Sequence, residues 1–246
     1  LTRSRMILFS ILASLLFLAE TLVLSVLSMI GSLLDRSGNT FLWLSRIWAK
    51  LSALVFGIRV RIEGLEHLTP GKHYVYVANH TSYLDILIVI SKIPDSLRLV
   101  FRSTLTKVPI WGLAMRLSPF IIIERTNPKL AQQSLRDAVT KMKSGASVLL
   151  FPEGTRTNDG TMHSFKRGAF HLAYESGAEL IPVAILGAYE MLPRTGRFPK
   201  LGRRATLRIG APIKPRVVAP EEARAEELRL MAEAESAVRA LLERPV

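Results

Sequence analysis

The sequence predicts an α/β domain, a sheet with helices on its faces, joined to an N-terminal apolar two-helix membrane-anchoring motif. Three observations predict it. Strand-like and helix-like patterns alternate from residue 57 to residue 243. The run before them, Met6 to Leu34, holds a single charge, Glu20. Polar residues capable of chemistry collect where the predicted strands end, the place where sites form in such sheets. The division therefore falls after residue 57, with a membrane-associated helix pair over 1–57 and an α/β domain over 58–246.

The apolar run of 29 residues, at about 1.5 Å each, reaches across a bilayer core of about 30 Å. It is too long for the apolar part of a signal peptide. DRSGNT (35–40) is a turn. FLWLSRIWAKLSALVFG (41–57) then places Arg46 and Lys50 one helical turn apart, with Trp43, Ile47, Leu51 and Leu54 on a different face. That pattern fits a helix lying in the membrane interface. Glu20 in mid-run, and basic residues at both ends of the pair, favour a hairpin that dips into one leaflet over a helix that spans.

The remaining elements follow in order. GIRVRIEGLEHL (57–68) alternates as a strand and ends at the Pro70-Gly71 turn. HYVYVANH (73–80) is a strand, LDILIVISKI (84–93) an apolar helix, LRLVFRSTL (97–105) a strand at its start. PIWGLAMRLS (109–118) is a short helix and PFIIIER (119–125) a buried strand. PKLAQQSLRDAVTKMKSG (128–145) is a helix capped by Gly145. ASVLLFPEGTR (146–156) is a strand running into a loop, RGAFHLAYESGA (167–178) a helix, LIPVAILGA (180–188) and RATLRIGAPI (204–213) strands. The acidic stretch from Glu221 reads as an amphipathic helix with Leu228, Met231, Ala234, Val238 and Leu241 turned inward.

Composition narrows the function. The chain has 246 residues, is 49% hydrophobic and carries a net charge of +13. It is too apolar for a basic disordered tail. With no cysteine, disulfides, Cys-ligated zinc, iron–sulfur clusters and a Cys nucleophile are excluded. Residues 61–220 hold +12 of the charge, against +4 before them and −3 after. An anionic partner therefore meets the central region. Aromatic residues are only 7% of the chain, and Trp43 and Trp48 lie in the apolar motif. That leaves no stacking platform for nucleic acid, so an anionic membrane surface or a phosphorylated substrate is expected.

Two constellations carry chemistry. His80 and Asp85 are separated by a loop and a first helical turn, a spacing that lets the carboxylate fold back onto the imidazole. A carboxylate on one ring nitrogen fixes the tautomer and leaves the other as a base. With no serine at a strand–helix elbow, the fitting chemistry is general-base activation of a substrate hydroxyl. The second constellation is Phe151-Pro152-Glu153-Gly154-Thr155-Arg156. Gly154 permits a left-handed turn and close backbone approach. Arg156 offers a planar fork of donors for phosphate, and Glu153 is placed to hold that arginine or a substrate hydroxyl. The five histidines show no metal-ligand spacing. LPRTGRFPKLGRR (192–204), with Arg194, Arg197, Lys200, Arg203 and Arg204, is a basic loop that fits anionic headgroups.

Together, NHTSYLD (79–85) and FPEGTR (151–156) resemble the glycerolipid acyltransferase family, and most closely its members that convert lysophosphatidic acid to phosphatidic acid. VPIWG and PFIIIERT within 108–126, and LIPVAILG (180–187), are similar to two further blocks of that family. Two departures stand out. Arg102 and Ser103 occupy positions where the family often has lysines, and Glu124 replaces its usual Asp. The resemblance implies an acyltransferase without cofactor or metal. Lysophosphatidic acid would be the acceptor, and an acyl-CoA or acyl-ACP thioester the donor. It implies His80 as base and Asp85 as its orienting partner. Arg156, Arg125 and Arg102 would hold the phosphate, with Glu153, Gly154 and Thr155 supporting substrate or transition state. The expected anchor in the cell membrane is monotopic or re-entrant, from Glu20 and the basic ends of the pair, and the Lys/Arg asymmetry and the place where acyl donors are made put the domain on the cytoplasmic face. The alternatives are another lysolipid acceptor or a non-catalytic lipid-binding module, which would not need His80 and Asp85 together.

Overall fold

The structure, a computed structural model, describes residues 3–124 and 128–245, apart from the side chains of Arg3 and residues 128–131. Its elements are α1 (Arg3–Leu34), α2 (Asn39–Val55), β1 (Arg59–Glu63), β2 (Tyr74–Ala78), α3 (Leu84–Lys92), β3 (Leu97–Arg102), α4 (Trp111–Leu117) and β4 (Ile121–Ile123). There follow α5 (Pro128–Lys143), β5 (Ser147–Leu150), α6 (Gly168–Ser176), β6 (Glu179–Leu186), α7 (Ala188–Met191), β7 (Arg204–Ile209) and α8 (Ala223–Glu243).

The strands form one seven-stranded sheet in the order β1-β7-β6-β2-β5-β3-β4. All neighbours are parallel except β6 and β7, which pair antiparallel from Val183↔Ile209 to Leu186↔Thr206. Strand periodicity of two divides the central side chains between two cores. Tyr74, Tyr76 and Ala78 of β2 face one layer with α2, α3 and α4, while Val75 and Val77 face the other with α5, α6 and α8. Strands covered on both faces read as near-continuous apolar runs, which is why YVYVA is buried throughout and ELIPVAIL from Glu179 to Ile185.

The N-terminal helices divide in their roles. Over Ser4–Leu34, α1 is apolar and long enough to cross a membrane, and only 6% of its most apolar window is buried. Here the structure departs from the predicted membrane-associated helix pair, because the second helix packs on the domain. Phe41, Leu42 and Ala49 of α2 belong to the same core as the sheet. Arg46 donates to the carbonyls of Pro94 and Asp95 beyond α3. Trp43, Leu51 and Leu54 are the exposed large apolar residues of α2. Glu20 is the acceptor for the Ser52 hydroxyl, and Trp48 Nε1 donates to Thr21 Oγ1 at 2.9 Å. The mid-run carboxylate therefore couples the two helices instead of facing the lipid side.

The C-terminal helix differs from its predicted register. Leu230, Ala234, Val238 and Leu241 are the inward stripe, and Leu228 is exposed. Positions 230, 234, 238 and 241 share one face at 3.6 residues per turn, and 228 falls off it.

Candidate active site

The parallel arrangement brings the C-terminal ends of β2 and β5 side by side, with Val77 opposite Leu150. The loop beginning at Asn79 and the loop beginning at Phe151 therefore share one rim of the sheet. Asn79 fixes the first of them. Its side chain donates to Ile185 O at 3.0 Å and accepts from Ile185 N at 2.7 Å, closing the gap to β6. Ser82 fixes the second half, donating to Leu192 O at 2.8 Å and accepting from Leu84 N at 3.1 Å at the start of α3.

Asp85 lies in the first turn of α3 and is 0% exposed. Its Oδ2 sits 2.9 Å from His80 Nδ1 and accepts Thr81 N at 2.7 Å and Ser82 N at 2.9 Å. Oδ2 thus gathers two backbone donors and the ring at the first turn of α3. An ionised Asp85 can only accept, so Nδ1 carries the proton and Nε2 is left as the basic nitrogen. The ring stacks on Phe151 at 4.0 Å and an interplanar angle of 19°, which sets its tilt. His80 lines a cavity of about 1230 Å³ that runs between the strand-end loops and the inner faces of α1, α2 and α4. Phe17, Trp48, Phe56, Leu87, Phe101 and Met115 make its wall predominantly apolar.

Glu153 differs from the sequence expectation. It is 2% exposed and meets neither Arg156 nor the cavity. One oxygen accepts His80 N at 2.6 Å and the other accepts His163 N at 2.9 Å. Burial pushes its pKa up, opposed by those two backbone donors. Glu153 is thus a cross-tie that sets the backbone height of His80 against the second loop. Thr157 N, donating to His80 O at 3.0 Å, completes the tie. Gly154 has φ 79°, a value that a side chain would strain. Its N–H donates to Phe151 O at 3.0 Å. This N–H is committed within the turn.

The basic residues assemble unevenly. Arg156 lies with its guanidinium carbon 3.4 Å from the centre of the Tyr83 ring, a cation–π stack that holds the fork flat at the cavity wall. Its pKa is lowered, first by burial and then by Arg194, while Tyr83 and Asp85 oppose. Arg102, at the end of β3, donates to Gly154 O and also lines the cavity. Thr155 Oγ1 accepts from Arg194 Nη1 at 3.3 Å. Arg125 lies outside the described residues. Ser103, in place of a family lysine, donates to Glu124 at 2.6 Å. Arg194 was legible only as one charge of a basic loop. Its approach to the site depends on the fold of residues 187–203.

A family model described as Acyltransferase matches residues 59–186 of the chain. The 1-acyl-sn-glycerol-3-phosphate acyltransferase LPAT1, chloroplastic, of Arabidopsis thaliana is 36% identical over 155 residues, 61% of this chain and 42% of that protein. The 1-acyl-sn-glycerol-3-phosphate acyltransferase alpha of Mus musculus is 33% identical over 171 residues, 68% of this chain and 59% of that protein. The chain thus spans about half the length of these curated relatives. The crystal structure of the 1-acyl-sn-glycerophosphate (LPA) acyltransferase PlsC of Thermotoga maritima has the same fold, with a TM-score of 0.79 over 99% of both chains at 24% identity.

Proposed function

This chain belongs to the acyltransferase family, and from that premise we propose that it acylates the sn-2 hydroxyl of lysophosphatidic acid to give phosphatidic acid. The observation that carries the reading is the His80–Asp85 pair, 2.9 Å apart, opening onto a large apolar cavity beside Arg156. The names of the similar plant and mouse enzymes support the same acceptor.

In the proposed reaction His80 Nε2 takes the proton from the acceptor hydroxyl as its oxygen attacks the thioester carbonyl. Asp85 holds the ring through Nδ1 and stabilises the imidazolium that forms. The tetrahedral intermediate expels the sulfur, breaking the C–S bond. The proton on Nε2 passes to the thiolate, and a free thiol leaves with the ester complete. A thioester is already activated, so the reaction asks for neither metal nor cofactor. Acyl-CoA or acyl-ACP supplies it. General-base assistance of this kind contributes about 10²–10⁴ in rate.

Arg156, with Arg102 beside it, binds the acceptor phosphate, and the apolar cavity takes the acyl chains. Both lipids reach the site from a bilayer surface. The exposed leucines of α1 and the Trp43, Leu51 and Leu54 face of α2 embed in one leaflet. The domain then sits on the cytoplasmic side.

The test is direct. Detergent-purified protein is given lysophosphatidic acid with acyl-CoA, then with acyl-ACP, while thiol release and product lipid are followed together. Phosphatidic acid from the native chain and none from His80→Ala is the expected result. Thiol release without phosphatidic acid moves the acceptor to another lysolipid. No thiol release with either donor overturns the reading.

A further inference from the structure

The segment that joins β6 to β7 does more than return the chain. After α7 it folds back over the two strand-end loops, tied down by Ser82 Oγ to Leu192 O and by Lys200 N to Met191 O, both at 2.8 Å. This places Arg194 against the second loop. Arg194 Nη1 donates to Arg156 O at 2.9 Å and to Thr155 Oγ1 at 3.3 Å. Its side chain lines the same cavity as His80 and Arg156. Its Nε and Nη2 have no partner among the described residues, and no carboxylate there pairs with it or with Arg156.

Arg156 and Arg194 thus line one opening, together with Arg102 and Arg197, and no carboxylate among the described residues is in ion-pair range of Arg156 or Arg194. Their repulsion is felt at Arg156, whose charged form Arg194 disfavours. A bound anion relieves that repulsion, and relieves more of it the greater its charge. A phosphate monoester near neutrality carries about −1.5 to −2 charges and three terminal oxygens. One planar fork satisfies two of those oxygens, which leaves the third for a second donor group. A phosphodiester has one charge and two such oxygens, so a second arginine gains little from it.

We infer that Arg194 is a specificity-determining residue of the acceptor site, which with Arg156 grips a phosphate monoester and selects it over phosphodiester lysolipids. The inference rests on the acyl transfer proposed above. Arg194 is anchored through one nitrogen to the turn that carries Arg156, so the two forks keep a fixed spacing. Its remaining donors point the selection at charge and oxygen count, whereas Arg156 with Arg102 recognises any phosphate.

The experiment compares the native chain, Arg194→Ala and Arg194→Lys in detergent, by equilibrium binding of lysophosphatidic acid and of lysophosphatidylglycerol with the same acyl chain. Steady-state kinetics with lysophosphatidic acid and acyl-CoA run alongside. Arg194→Ala should weaken lysophosphatidic acid by about tenfold or more and leave lysophosphatidylglycerol unchanged. KM for lysophosphatidic acid should rise while kcat and KM for acyl-CoA hold. Arg194→Lys should recover part of the loss, because the charge stays and the fork goes. Equal weakening of both lipids, or no weakening, overturns the inference. So does a fall in kcat with both KM values raised in both variants, the signature of a loop staple. If the native chain binds lysophosphatidic acid through Arg194 but never acylates it, the proposed reaction falls and the monoester site stands.

Discussion

At the ends of β2 and β5, Asp85 and Glu153 are withdrawn from water and each is given two backbone N–H donors. Along α1 the opposite has happened: Leu12, Leu15, Leu16, Leu18 and Val23 are each more than half exposed. The first region is costly to build and therefore rigid, because a buried carboxylate without partners is strongly destabilising. The second is costly to leave in water and therefore seeks another phase. The difference separates the two demands of the proposed reaction. Proton transfer needs atoms held within tenths of an ångström, whereas lipid entry needs a surface that a bilayer will accept. The cavity joins them, with His80 and Arg156 at one part of its wall and Phe17, Trp48 and Phe56 at another.

Four variants would break or sharpen this contrast. The largest effect belongs to His80→Ala, which should cut transfer by about 10²–10⁴ with the circular dichroism spectrum and melting curve retained. A variant with near-native turnover would remove the rigid region's chemical role. Next is the double substitution Leu12→Glu and Leu16→Glu. Losing two leucines of about 1.5–3 kcal/mol each should lower partitioning onto phospholipid vesicles by roughly a hundredfold or more. Turnover of detergent-dispersed substrate should survive, and its loss would show that α1 also shapes the site. Deleting 1–57 outright is the poorer test, since Phe41, Leu42 and Ala49 belong to the core and the domain would lose stability with them.

Arg156→Ala should raise KM for lysophosphatidic acid by about ten- to a hundredfold, from the loss of charge-assisted hydrogen bonds, while KM for the acyl donor stays. Equal rises for both substrates would argue that the Tyr83–Arg156 stack is only structural. The smallest effect, and the one that best isolates the scaffold, is Glu153→Gln. The amide presents a donor to one of two backbone N–H groups, so stability should fall by about 1–3 kcal/mol, read as a lower melting temperature. Turnover should fall only as the His80 loop loosens. A variant with native stability and altered acceptor KM would return Glu153 to the substrate-binding role its sequence position had implied.

Much of the site could be read along the chain because its parts are local. His80 and Asp85 span one loop and one helical turn, and the predicted return of the carboxylate onto the ring is the geometry found at 2.9 Å. Gly154 stands in a left-handed turn as its position after Pro152 and Glu153 implied. The partners of Glu153 could not be read along the chain, for a reason that is equally physical. Its partners, His80 N and His163 N, lie 73 and 10 residues away, and nothing in FPEGTR distinguishes a carboxylate that faces substrate from one that ties two backbones. Arg194 was legible only as part of a charge run, because its contact with Arg156 spans 38 residues and a strand crossing.

The sequence by itself determined the alternation of strands and helices, the apolar run of α1, and the pairing of His80 with Asp85. These are properties of neighbours in the chain: periodicity, a run of hydrophobicity, a spacing of five residues. Tertiary structure alone decided that α2 joins the core, that β7 turns antiparallel beside β6, that Gly154 spends its N–H inside the turn, and that a second arginine enters the cleft. Each of those outcomes depends on which distant surface or carbonyl a group meets once the sheet has closed. The same residue can satisfy its chemistry in several ways until the fold leaves it one partner.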